Sequence, residues 1–204
     1  MPSTLEVARQ RLKGVEDGLV VLDGVSWADY QRLLEIRGDR SVPRLTFLEG
    51  RVEIMSPSRF HENLKSVIGC LVEVWCLEKG IEFTTLGAWT LEDKLVSCGA
   101  EADECYVFGR VAEPARPDLA IEVVWTSGGI SKLEVYRKLA VREVWIWKDG
   151  RLTPYLLRGE GFVEANGSEA LRGLDLKLLC GFLDRPTTSQ AILEVDDSFA
   201  RLAI

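Results

Sequence analysis

The sequence lacks several features that other classes of protein require. It contains no run of about 18 apolar residues, the length that a membrane-spanning helix needs, so we expect no membrane partner. Residues 1–9 lack the apolar core of a signal peptide. Histidine occurs once, at His61, and the cysteines lack the paired spacing of zinc ligands. These absences argue against a transmembrane protein, a secreted protein and a zinc protein.

The cysteines are too irregular in number and spacing to suggest a disulfide framework. There are five of them, which is an odd number. We therefore expect reduced and mostly buried thiols in a cytoplasmic protein. The cysteines are Cys70, Cys76, Cys98, Cys105 and Cys180.

An excess of positive charge is also missing. The 204 residues include 25 Lys and Arg against 32 Asp and Glu, which gives a net charge of −7. This net negative charge argues against a protein that coats nucleic acid through positive charge. It does not exclude an enzyme with a basic rim around an acidic metal site. Five arginines between residues 37 and 59, Arg44 among them, are candidates for that rim. Because acids such as Glu53 alternate with them, we interpret the segment as a solvated face of mixed charge.

What the sequence does contain is an ordinary globular composition and one unusual apolar stretch. Hydrophobic residues make up 47% of the chain, and the length predicts one domain, residues 1–204. Residues 117–125 are almost continuously apolar, which indicates a strand buried on both faces. Asp118 opens this strand and Glu122 lies in its middle. A buried carboxylate is costly unless it is paired or binds a metal, so Glu122 is the most informative residue of the sequence.

The neighbouring segments predict which side chains lie near Glu122. A strand over about 104–108 precedes it by a short turn, so antiparallel pairing should bring Asp103 beside Glu122. A short helix after Gly129 and a strand over 141–147 complete a parallel crossover, and Lys132 in that helix can reach back over the strand end.

Upstream, the pattern predicts a strand at 18–23, a helix after Ser26, and a hairpin over 44–48 and 51–55. A longer helix should follow from residues 56–58 to about 79, with His61 and Glu62 in its first turns. A strand is predicted after it, at residues 81–86.

Asp103, Glu122 and Lys132 together have the chemistry of phosphodiester hydrolysis. Two neighbouring carboxylates repel each other unless a cation lies between them. Magnesium prefers oxygen ligands, keeps bound water, and lowers the pKa of that water. A nearby lysine can orient the attacking water or stabilise the transition state.

These residues resemble the PD-(D/E)XK, or restriction-endonuclease-like, nucleases. The similarity is greatest to the Uma-two family, a large bacterial group of predicted endonucleases classed as a domain of unknown function. It is carried by residues 55–62, 101–106, 116–123 and 132–145. The resemblance implies an α/β (α+β) fold with a mixed central sheet flanked by helices. It also implies a core at about 44–158 with N-terminal and C-terminal additions, a Mg²⁺ or Mn²⁺ cofactor, and DNA as the substrate.

The resemblance also implies roles for individual residues. Asp103 resembles the motif aspartate, although Ala102 precedes it where proline is usual, and Glu122 resembles the motif glutamate. Both would bind the metal. The usual lysine would fall at position 124, which is Val124 here, so Lys132 is its implied substitute. The resemblance also makes Asp118 a third ligand or supporting group, Glu62 a helix acid that holds metal or water, and His61 a phosphate or water contact.

Other readings of the same residues stay open. Glu122 can be a core acid that is salt-bridged to Lys132 alone, and Asp103 and Asp118 can be turn residues. Lys132 can be an exposed helix lysine, Glu62 a complement to the helix dipole, and His61 a structural residue of the first turn. The loss of the proline and the displaced lysine favour a catalytically inactive nucleic-acid-binding or protein-interaction module. A metal-free hydrolase such as a glycosidase would need carboxyl groups about 5–9.5 Å apart. A homodimer through the edge strands of the 44–55 hairpin and the terminal helix is a further hypothesis.

Overall fold

The computed structural model describes residues 16–124 and 129–201. Within these ranges the chain forms a mixed α+β fold of two sheets and five helices, as the sequence predicted. The strands are β1 (Gly18–Asp23), β2 (Arg44–Leu48), β3 (Arg51–Ser56), β4 (Phe83–Thr85), β5 (Thr90–Asp93), β6 (Cys98–Glu101), β7 (Glu104–Phe108), β8 (Leu119–Val123), β9 (Glu143–Lys148), β10 (Arg151–Arg158) and β11 (Gly161–Glu164). The helices are α1 (Trp27–Arg37), α2 (Arg59–Glu78), α3 (Lys132–Lys138), α4 (Leu176–Cys180) and α5 (Thr188–Arg201).

The first sheet is antiparallel and has the order β1-β3-β2-β6-β5. The predicted hairpin forms its centre, and Glu49 and Gly50 turn the chain with φ of 47° and 89°. The Ser26 side chain accepts from the backbone of Asp29 and begins α1, as predicted. Tyr30 of this helix stacks on Phe47 with ring centroids 5.1 Å apart, which fixes the helix on the sheet.

The second sheet has the order β11-β10-β9-β8-β7-β4, so the strand that carries Glu122 lies inside it. All five residues of β8 are buried. The strand pairs antiparallel with β7 and parallel with β9, which confirms the predicted hairpin and crossover. The α2 helix packs on one face and α3 on the other. The end of the predicted strand, Trp125, lies outside the described residues.

Several predictions need correction. The strand predicted from residue 81 to 86 is shorter and spans Phe83–Thr85. Arg44 and Glu53, which were assigned to a solvated face, are buried. Both strands of the 44–55 hairpin are interior to their sheet, between β1 and β6, so they offer no free edge for a dimer. The terminal helix buries Val195 and Phe199 in the core beside α2. No helix within residues 16–124 and 129–201 is long and apolar enough to span a membrane.

The five cysteines are free, and three of them are buried as expected. Burial raises the pKa of Cys76 to about 11 and that of Cys98 and Cys105 to about 12, from an ordinary value of 9.0. The unfolded chain therefore loses these protons at a lower pH than the folded chain. The stability that they contribute is complete below about pH 9 and is lost as the pH rises toward 12.

We therefore expect the melting temperature to fall progressively when the pH is raised above 9. Calorimetric scans between pH 7 and 11 measure this fall. A Cys98→Ala/Cys105→Ala variant, which lacks two of the titrating thiols, should show a shallower fall from its own value at pH 7. Equal slopes for the two proteins would contradict the assignment.

Candidate active site

Glu122 is buried beneath a cleft that opens at the end of β8. Glu122 is only 2% exposed. Its Oε1 accepts a hydrogen bond from the Tyr136 hydroxyl, and its Oε2 lies 3.9 Å from Lys132 Nζ. Burial first, and then the charge of Glu122, raise the pKa of Tyr136 well above its ordinary value. The tyrosine is therefore a fixed neutral donor that orients this carboxylate.

Lys132 extends from the first turn of α3 to the same cleft. The Ser131 side chain caps the helix by accepting from the Glu134 amide, which fixes where the helix begins. Lys132 Nζ donates to Thr46 Oγ1 over 2.7 Å and lies 3.3 Å from Glu53 Oε1. The lysine is therefore held between the two sheets, with Glu122 on one side and the hairpin residues on the other.

Asp103 lies beside Glu122 but is already surrounded by hydrogen-bond donors. The pairing of Glu104 with Ile121, continued by one residue, places Asp103 opposite Glu122. Its Oδ2 accepts from the Val123 amide over 2.6 Å. Its Oδ1 contacts Arg44 Nη1 and lies 3.0 Å from His61 Nε2. The Asp103 carboxylate thus links the end of β8 to the hairpin and to α2.

His61 extends the cluster to the segment that precedes β1. Its Nδ1 lies 2.8 Å from Asp17 Oδ2, and Asp17 Oδ1 accepts from the Ser58 amide over 2.6 Å. Burial raises the pKa of Asp17, but the hydrogen bonds from His61 and Ser58 outweigh it, so the pKa falls below its usual value. Asp17 therefore stays ionised, and the predicted site histidine lies between two carboxylates.

Two other predicted site residues lie away from Glu122. Glu62 is 43% exposed in its side chain and pairs with Arg44 Nη2 at 2.6 Å. Asp118 lies at the opposite end of β8, where it accepts from the Phe108 amide over 2.9 Å. That position is typical of a turn residue. Neither carboxylate lines the cleft above Glu122.

The cleft has a volume of about 320 Å³ and is lined by residues from both sheets. Its acidic wall includes Glu53, Glu122 and Asp17, together with Lys132 and His61. A larger cleft of about 730 Å³ lies beside β4. The acid in its lining, Glu82, is exposed and paired with Arg110, so the smaller cleft is the better candidate for chemistry.

Sequence reasoning missed Glu53, Thr46 and Asp17, and it considered Arg44 as a rim residue before assigning it to a solvated face. One signal was available for Glu53. The β3 pattern places Glu53 on the same face as Met55, and both are buried, so the alternation of this strand indicated an acid that faces inward. The others become informative only through partners that are distant in the chain.

The charges at the cluster do not balance. Four buried carboxylates (Asp17, Glu53, Asp103 and Glu122) face two permanently charged cations, Arg44 and the 11% exposed side chain of Lys132. The four carboxylates outnumber the two cations, and they still outnumber the cations when His61, whose two ring nitrogens both face carboxylates, is added to them. Such an excess of buried charge is costly without a counter-ion.

Carboxylate oxygens are the type of ligand that a hard divalent cation prefers. Magnesium prefers carboxylates and water over nitrogen or sulfur ligands. A carboxylate has about four acceptor positions, and Asp103 and Glu122 each accept one hydrogen bond, from the Val123 amide and from the Tyr136 hydroxyl. Asp103 Oδ1 makes ion-pair contacts with Arg44 and His61 but accepts no hydrogen bond, so acceptor positions remain on both carboxylates. In the described part of the chain, no group of three or more His, Cys, Asp and Glu side chains is arranged so that it could hold a metal ion. Two protein ligands plus water are the usual number for magnesium.

Comparison with known proteins identifies the family of the chain. No curated protein matches the chain. The model of the Uma2 family, described as "Putative restriction endonuclease", matches residues 27–182. This match includes every strand from β2 to β11 and therefore the whole of both walls of the cleft except Asp17 and Leu19. Because the matched residues make up well over half of the chain, this protein belongs to the Uma2 family, as its motifs predicted.

Proposed function

We propose that this chain is a metal-dependent endonuclease that hydrolyses phosphodiester bonds in DNA. The observation that carries the proposal is the buried Glu122 carboxylate, which lines a cleft, lies 3.9 Å from Lys132 Nζ and follows Asp103 across the strand pair. The description of the family favours phosphodiester hydrolysis over sugar hydrolysis.

Each residue of the cluster has a role in the proposed mechanism. Glu122 and Asp103 would hold a Mg²⁺ or Mn²⁺ ion, which supplies an acidified water and neutralises charge on the phosphoryl group. Lys132 orients the attacking water and stabilises the negative charge that develops in the transition state. Tyr136 fixes the direction of the Glu122 carboxylate. His61 and Arg44 fix that of Asp103.

A plasmid-nicking assay tests the proposal. Supercoiled DNA incubated with the protein and Mg²⁺ should become open circular, and EDTA should abolish this conversion. Single-turnover rates across a Mg²⁺ titration then give the dependence on metal. Nicking that persists in EDTA would contradict the metal requirement, and the absence of nicking with both Mg²⁺ and Mn²⁺ would contradict the catalytic function.

One observation favours a second function, that of a binding module without catalysis. Arg44 already contacts the Asp103 carboxylate, and Lys132 lies between Glu53 and Glu122, so cationic side chains partly occupy the place of a metal. A protein of this kind should retard DNA in a gel in the presence of EDTA and should leave supercoiled plasmid intact with Mg²⁺.

A further inference from the structure

The hairpin of the first sheet presents two adjacent polar side chains toward the cleft. Thr46 of β2 and Glu53 of β3 are directly paired in the antiparallel register, so their side chains share one face. Both residues are buried. A threonine and a glutamate side by side in a buried position require polar partners, because leaving either without one is costly.

Lys132 is the partner that both residues share. Its Nζ lies 2.7 Å from Thr46 Oγ1, 3.3 Å from Glu53 Oε1 and 3.9 Å from Glu122 Oε2. An ammonium group has three donors, and three oxygens surround it here. Thr46 and Glu53, which we call the hairpin pair, therefore determine where the charge of Lys132 lies relative to Glu122.

Glu53 also fixes the segment from which Lys132 extends. Its second oxygen, Oε2, accepts from the Ile130 amide over 2.7 Å. A Cβ atom at Gly129 would overlap the same oxygen, so the backbone passes directly against the carboxylate. One side chain thus holds both the entrance of α3 and the tip of its lysine.

A lysine on a helix needs such external contacts. The side chain has four rotatable carbon bonds and loses up to about 2 kcal/mol of conformational free energy when it is held in one rotamer. Misplacing a catalytic group by about 1 Å can lower a rate about 100-fold.

We propose that the hairpin pair positions Lys132 for the reaction, with Glu53 and Thr46 as positioning residues that act through the lysine. This inference depends on the nuclease function proposed above.

A double-mutant cycle on nicking kinetics tests the inference. Lys132→Met should lower kcat about 100-fold. Glu53→Gln, which keeps the acceptor for the Ile130 amide but loses the charge, should lower kcat about 10-fold with KM unchanged. Because Glu53 acts through Lys132, Glu53→Gln should have no further effect in the Lys132→Met background. Independent effects would multiply to about 1000-fold and would overturn the proposal.

Thr46→Val provides a second variant in case Glu53→Gln folds poorly. It keeps the shape of the side chain and removes the acceptor for Lys132, so it should also lower kcat several-fold, and only when Lys132 is present. Glu101→Gln is the matched control. Glu101 is likewise a buried glutamate that accepts from a backbone amide (Leu45, 2.9 Å), a threonine (Thr90, 2.8 Å) and a cation (Arg37, 2.5 Å). This control should lower stability, but its kcat should stay within about twofold of that of the wild type.

Thermal unfolding gives a readout that does not need activity. It is measured on the four proteins of the cycle, which are the wild type, Glu53→Gln, Lys132→Met and the double variant. If Glu53 holds Lys132, the losses in melting temperature should be non-additive by at least about 3 °C, which corresponds to about 1 kcal/mol of coupling in a domain of this size. A wild type that does not nick DNA would overturn the proposed function, and the unfolding cycle would still decide whether the contact exists. Strictly additive melting temperatures would overturn the inference.

Discussion

Glu122→Gln is expected to lower the rate of Mg²⁺-dependent nicking by about 1000-fold or more. Glutamine preserves the shape of the side chain and its hydrogen bond with Tyr136, so the fold should survive. The substitution removes the charge that attracts the cation, and the loss of a metal ligand in a low-dielectric site affects both metal affinity and rate. Single-turnover nicking at saturating Mg²⁺ measures the rate, and isothermal calorimetry measures the binding of Mg²⁺.

Glu143→Gln is the matched control for this variant. Glu143 is also a buried glutamate, it lies on the neighbouring strand β9, and it accepts from the Trp145 ring (2.6 Å) and from the Ala170 amide (2.8 Å). Because Glu143 faces a different cleft, the nicking rate of Glu143→Gln should stay within about twofold of the wild-type rate. If Glu122→Gln nicks DNA at the wild-type rate and still binds Mg²⁺, Glu122 is excluded from the mechanism.

Asp103→Ala is expected to lower the free energy of unfolding by about 3 kcal/mol, because the change removes the buried one of the two carboxylates that pair with Arg44 and leaves the Val123 amide without its acceptor. The carboxylate is fully buried and contacts Arg44, which is only 3% exposed. It also accepts from the Val123 amide and lies beside His61. Urea denaturation followed by circular dichroism measures this loss.

Asp118→Ala is the comparison for this effect. Asp118 precedes β8 as Asp103 precedes β7, is partly exposed, and accepts one backbone hydrogen bond from Phe108, so its loss should cost only about 1 kcal/mol. Mg²⁺ adds a second test, since ligand binding to the folded state raises its stability. Saturating Mg²⁺ should raise the melting temperature of the wild type and leave that of Asp103→Ala unchanged. Similar losses of stability for the two variants would contradict the proposed role of Asp103.

The residues that sequence analysis identified share a local signal. Glu122 interrupts an apolar strand, and Lys132 follows at the start of a capped helix, so their positions could be predicted within a single segment of about 30 residues. Asp103 could be placed beside Glu122 because a short turn between two strands requires antiparallel pairing. Asp118 and Glu62 gave similar chemical signals, but the geometry of the strand and the helix directs them elsewhere.

The residues that sequence analysis missed act across long separations in the chain. Thr46 is 86 positions from Lys132, and Glu53 is 77 positions from Ile130. The residue pattern within β2 or β3 does not indicate that α3, which packs on the second sheet, contacts these strands. The short strand β4 was predicted too long for a related reason, because only its antiparallel pairing with β7 determines where it ends.

The division of the cleft between two sheets has a consequence for biosynthesis. Residues 44–53 leave the ribosome well before residues 103–132, and neither segment alone contains both an acid of the proposed metal site and the lysine with its partners. The proposed site is therefore complete only after the two segments have docked. We expect a nascent or partly unfolded chain to be unable to cleave phosphodiester bonds, so that hydrolytic capacity arises only in the last step of tertiary assembly.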